Sequence, residues 1–153
     1  MILKPGNWLG RGSYRSIGET LGINFEADFS VQEDDQGIMV EGTVDVAGGA
    51  TIELTIWIVP DEFGTYAVSV RGSGIDVEGT AKLESIPHLG LLWSEDGETH
   101  VAFTLFALRE SFGFRGFAKT TQVTITWELA LKPQQNVVTG GNVVSIDARR
   151  RPK

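Results

Sequence analysis

Between residues 23 and 131 the chain alternates apolar and polar side chains in short runs, each broken by glycine or proline. Ile23, Phe25, Ala27, Phe29 and Val31 are interleaved with Asn24, Glu26, Asp28, Ser30 and Gln32. Successive side chains of an extended strand point to opposite faces, so this period of two predicts antiparallel strands with one dry and one wet face. The pattern recurs in Ile38, Val40, Gly42, Val44 and Val46, in Ile52, Leu54, Ile56 and Ile58, and in Tyr66, Val68 and Val70. It continues through Ile75, Val77, Gly79, Ala81 and Leu83, then Leu89, Leu91 and Trp93, then Val101, Phe103, Leu105 and Ala107. Phe112, Phe114 and Gly116 follow, and Val123, Ile125, Trp127, Leu129 and Leu131 make the last run. Gly48-Gly49, Pro60, Gly72, Pro87, Asp96-Gly97 and Pro133 stand where turns are needed. With residues 6–16 as the first, the chain predicts about ten strands, and no window sustains a helical period.

Strands joined in sequence by short turns form a meander. Without helices to cover its apolar face, such a sheet is expected to close on itself, which also removes its exposed edges. The expected fold is therefore an all-β, up-and-down antiparallel barrel over residues 1–133. Ten strands enclose more space than eight, so an interior cavity is expected. Residues 134–153 differ: a polar Gln134-Gln135-Asn136, a turn-like Gly140-Gly141 and a basic end predict a flexible tail or a short added hairpin.

Composition narrows the function classes. The chain has 153 residues, 41% hydrophobic and 22% charged, enough for one domain with a real core. Its net charge is −7, and four of its 13 basic residues fall in residues 149–153, leaving an acidic body unsuited to nucleic acid or anionic lipid. It has no cysteine, which removes disulfides, thiolate catalysis and sulfur-ligated metals. No apolar run is long enough to span a membrane, and Gly, Arg and Glu interrupt residues 1–20 where a signal peptide would be apolar; the cytoplasm is the expected location.

The first strand reads Gly6-Asn7-Trp8-Leu9-Gly10-Arg11-Gly12-Ser13-Tyr14. This G-x-W-x-G-x-G-x-Y pattern resembles the N-terminal signature of the lipocalin and calycin superfamily, and within it most closely the nitrobindin-like barrels. The resemblance implies that Trp8 plugs one end of a barrel while Gly10 and Gly12 let the strand bend over it. It also implies a basic residue stacked on that indole, and Lys132 stands at the matching place. Nitrobindins further imply haem held by a histidine on a late strand. Here the histidines are His88 and His100, and residues 121–132 offer no axial ligand, so no haem is expected.

The remaining polar candidates are few. His88, after Pro87, is expected at a rim, and His100, in phase with Glu98, is expected to face outward; their spacing is not a metal signature. Glu26, Asp28, Glu41, Asp45, Glu53, Asp76 and Glu78 fall on the wet face and read as outer wall. The run Glu33-Asp34-Asp35-Gln36-Gly37 lacks calcium-loop spacing and reads as a turn. Ser73 between two glycines does not complete a nucleophile elbow. Arg109 continues the inward phase of Val101 to Ala107 and is a candidate carboxylate anchor; Arg71 and Arg115 lie on the opposite phase. Tyr14 shares the face of Trp8 and would bring a hydroxyl inside.

The expected function is binding of a small hydrophobic molecule, fatty-acid-like or flat. Its site would be lined by Phe25, Phe29, Val40, Ile56, Tyr66, Val77, Phe103, Phe114 and Trp127, with Tyr14 and Arg109 as polar anchors. Two alternatives stay open: an enzyme isomerising or cyclising an apolar substrate, and a solidly packed interaction module. Two strands are apolar on both faces, which leaves Trp57, Val59, Phe106 and Leu108 outside and predicts a homodimer through the outer wall.

Overall fold

Every alternating run becomes a strand in the computed structural model, which describes residues 3–134. The strands are β1 (Gly6–Ser16), β2 (Ile23–Asp34), β3 (Gly37–Val46), β4 (Thr51–Pro60), β5 (Tyr66–Gly72), β6 (Ile75–Lys82), β7 (His88–Trp93), β8 (His100–Ala107), β9 (Phe112–Lys119) and β10 (Thr124–Pro133). Each pairs antiparallel with the next, and β1 pairs with β10, giving a closed ten-stranded up-and-down barrel. Closure is tight at β1, where Trp8 opposes Phe29 on one side and Pro133 on the other. Gln134 adds a backbone bond to the Asn7 carbonyl at 2.7 Å. The expected tail, residues 135–153, lies outside the described residues.

The inner face is the core. Glycines on that face let the strands approach where a side chain would collide. A Cβ at Gly12 would meet the Glu128 carbonyl and lie 2.8 Å from the Phe25 ring; one at Gly42 would strike the Asp28 carbonyl. These are the bends expected where closely coiled strands turn over a large neighbour.

The two ends differ. One gathers Trp8, Val31, Ile38, Ile58, Tyr66, Leu83, Phe112 and Leu131, all buried. Trp8 is capped edge-on by Phe112 at 5.0 Å, and its Nε1 donates to the Lys4 carbonyl at 2.9 Å. At the other end most inward side chains are half-buried or exposed.

Three expectations about facing are corrected. β7 presents His88, Gly90 and Leu92 to the interior, while Leu89, Leu91 and Trp93 point outward and are exposed. The cause is Phe103, which sits opposite Gly90 with its ring in the space a Cβ there would need. Lys132 faces outward opposite Leu9 and is exposed, because Leu131 takes the inner position beside Gly10; Trp8 is covered by Phe112 instead. Arg109 lies beyond the end of β8, in the turn closed by Leu108 N–H to the Ser111 carbonyl at 2.9 Å, and is exposed.

The outer wall also departs from expectation. Trp57, Val59 and Leu108 are exposed, but Phe106 is half-buried under the Arg115 guanidinium, 5.2 Å from its ring. Trp57 and Val59 on β4 are separated from β8 by β5, β6 and β7, and Ser69, Arg71, Asp76 and Glu78 project between them. The four residues therefore do not form one dimer surface. The larger apolar area is Leu89, Leu91 and Trp93 on β7 with Phe117 on β9.

Candidate functional site

The open end is built by the last residues of β1, β3, β5, β7 and β9 and the first of β2, β4, β6, β8 and β10. Strand alternation sends Val44, Val46, Ile52, Val70, Val101 and Ile125 inward there, and each is half-buried. Ile23 and Ile75, in the same phase, are 42% and 37% exposed. This half of the barrel is therefore an open cup with apolar walls.

Aromatic rings floor the cup. Phe103 and Phe114 meet edge-on with centroids 5.5 Å apart, and Phe114 and Trp127 lean together at 5.5 Å. Tyr14 tilts over Phe25 at 6.3 Å and stands directly opposite Trp127 in the β1–β10 pairing. Gly116 separates Phe103 from Trp127; a Cβ there would lie 2.7 Å from the indole, so the glycine gives the ring its seat. Trp127 Nε1 is buried and has no hydrogen-bond partner.

The sequence-derived lining divides between the two halves. Tyr14, Ile56, Phe103, Phe114 and Trp127 are inward and half-buried, on the side of the cup. Phe29, Val40 and Tyr66 are inward and buried in the packed part, where the Tyr66 hydroxyl is bonded to Glu84; Phe25 and Val77 are buried too, but opposite the mouth residues Val46 and Val70. Arg109 does not join them. The mouth residues Val44, Val46, Ile52, Val70, Val101 and Ile125 were missed as a group, although the alternation runs through all of them. The signal was how far each run extends past its centre, toward which end of the barrel.

The mouth is acidic. Its five turns carry Glu19, Glu95, Asp96 and Glu98, against one lysine at the rim, Lys119 at the end of β9. Hydrogen bonds from the Ser94 hydroxyl and then the Glu98 backbone N–H hold the Asp96 carboxyl below its ordinary pKa. The outward carboxylates Glu26, Asp76 and Glu128 meet Arg11, Arg71 and Arg115 at 3.6, 3.4 and 3.6 Å, all well exposed and of little energetic weight.

Two grooves lie on the outside of the wall. One, of about 540 Å³, runs along Glu41, Thr43, Glu53, Thr55, Arg71 and Ser73; the other, of about 490 Å³, along Ser13, Arg15, Arg115, Thr126 and Glu128, and it also touches Tyr14, Gly116 and Trp127. Outward polar side chains bound much of both, so neither is the expected enclosed apolar cavity.

Haem does not fit the residues present. An imidazole would have to reach into the open half, but His88 stands at the closed end and His100 is exposed on the outer wall. Among the described residues no three His, Cys, Asp or Glu side chains are grouped to hold a metal ion, and no helix is long and apolar enough to cross a membrane.

No family model matches the chain, and no curated protein is similar to it. Among solved structures the chain is similar to a de novo designed fluorescence-activating β-barrel, at 16% identity over 86% of this chain and 94% of that one, with a TM-score of 0.45.

Proposed function

We propose that the protein binds a small, largely apolar molecule in the open half of its barrel. The observation that carries this reading is the half-exposure of inward aliphatic side chains above an aromatic floor, at one end only. Concave apolar walls with few polar groups are the usual form of small-molecule sites. The Trp8 strand supports a lipocalin-like arrangement, in which a plugged end gives the cup a bottom. Flat or chain-like molecules both suit such a space.

Binding is favoured over turnover by the ionisable groups within reach. Among the described residues the inner face of the open half supplies Tyr14 alone, and acid–base catalysis needs a donor or acceptor positioned on the reacting atom. The packed-module reading describes the closed half well and the open half poorly.

The test is fluorescence titration with 2-dimethylaminonaphthalene, a neutral apolar dye. Saturable one-to-one binding is expected, and Ala118→Trp, which puts an indole in the mouth, is expected to abolish it while leaving the thermal midpoint near its original value. Unsaturable binding, or binding indifferent to that substitution, would overturn the reading.

A further inference from the structure

We propose that the molecule held in the open half is neutral and carries a carbonyl oxygen, and that the indole N–H of Trp127 donates a hydrogen bond to it. This rests on the binding reading above and deepens it. An indole nitrogen is a donor only, so what Trp127 lacks is an acceptor. Folded interiors rarely leave a buried N–H unmet, because its desolvation is then uncompensated. Trp127 Nε1 is such an atom. Its ring is fixed by Phe114 on one side and by the close seat at Gly116, and the Tyr14 side chain directly across the strand pair does not accept from it.

The other unpartnered buried atom, His88 Nδ1, is at the closed end and donates or accepts according to its tautomer, so it defines no ligand. Trp127 is different in both respects.

Charge decides between a carboxylate and a neutral carbonyl. Either would accept from the indole, and a carboxylate would do so more strongly. To reach it, however, an anion must pass turns bearing Glu19, Glu95, Asp96 and Glu98, with Lys119 exposed beside them at the end of β9, and must then leave water for an apolar cup with no cation on its inner face. Arg109, the one cation expected inside, is in a turn at the opposite end. A ketone, ester, amide or aldehyde meets the N–H without that penalty.

Three dyes of one skeleton test this: 2-dimethylaminonaphthalene, its 6-propionyl ketone and its 6-carboxylate. The ketone is expected to bind about three- to tenfold more tightly than the parent, and the carboxylate more weakly than the ketone. Trp127→Phe should erase the advantage of the ketone, read as the ratio of ketone to parent affinity within that variant, since both dyes lose the same ring contact. A ketone no tighter than the parent, or one whose advantage survives Trp127→Phe, overturns the role of the indole with the binding reading still standing. A carboxylate that binds best overturns neutrality. If no dye binds, both readings fall. Should Trp127→Phe not fold, the three affinities on the unaltered protein decide the matter.

Discussion

At one end of the barrel Trp8, Ile38, Leu83 and Phe112 point inward and are all less than a tenth exposed; at the other, Val44, Ile52, Val101 and Ile125 point inward and are half-buried. Strand pairing is the same at both ends, and both are apolar. What differs is bulk brought in from outside the ladder. The closed end receives the Trp8 indole edge-packed by Phe112, Leu83 from just past β6, and Leu3 from ahead of β1. The open end is crossed by glycine-rich and polar turns that send no large side chain inward. Ten strands leave more room than strand side chains alone can fill, so an end is sealed only where extra side chains arrive.

The strongest way to break that contrast is to remove the plug. Trp8→Ala is expected to cost about 3–5 kcal/mol, measured as the shift in urea midpoint at constant slope. A loss below about 1 kcal/mol would mean the closed end is not held by its aromatic contacts. A matched pair sharpens the comparison. Ile38→Ala, at the closed end, should cost about 2–5 kcal/mol, whereas Ile52→Ala, at the mouth, should cost roughly 1, since less area leaves water there on folding. Equal losses would show that the mouth is packed in solution.

The smallest effect should be the same at both ends. Asp61, in the β4–β5 turn of the closed end, and Asp96, in the β7–β8 turn of the open end, both have carboxyl pKa values lowered, first by the Thr65 and Ser94 hydroxyls respectively and next by backbone N–H donors. A carboxyl lowered by folding adds stability above its unfolded pKa and loses it as pH falls through the folded value. Asp61→Asn and Asp96→Asn should therefore each lower the thermal midpoint slightly at neutral pH, with the deficit shrinking as pH falls below the ordinary carboxyl value of 3.8. A deficit that persists in acid would point to lost turn geometry instead of lost charge.

Much of this was legible from residue order. Alternation in β2, β3, β4, β8 and β10 placed each inner face correctly: in β2, β3 and β10 the outer face carries charges, and in β4 and β8 Glu53, Thr55, His100 and Thr104 mark it. In β7 both faces are apolar apart from Gly90, and hydrophobicity alone chose the wrong one. Only the Phe103 ring from β8 shows why glycine must be inside. Arg109 failed for a related reason: phase says which way a residue would point if the strand continued, but β8 stops at Ala107. The cup escaped notice because its residues come from nine of the ten strands and share no local motif.

The sequence by itself determined ten antiparallel strands and their closure into a barrel, because these follow from local periodicity, turn chemistry and the cost of exposed sheet edges. The facing of β7, the open end and the unmet indole of Trp127 were decided by tertiary structure alone, because each depends on volumes and partners supplied by strands adjacent in space.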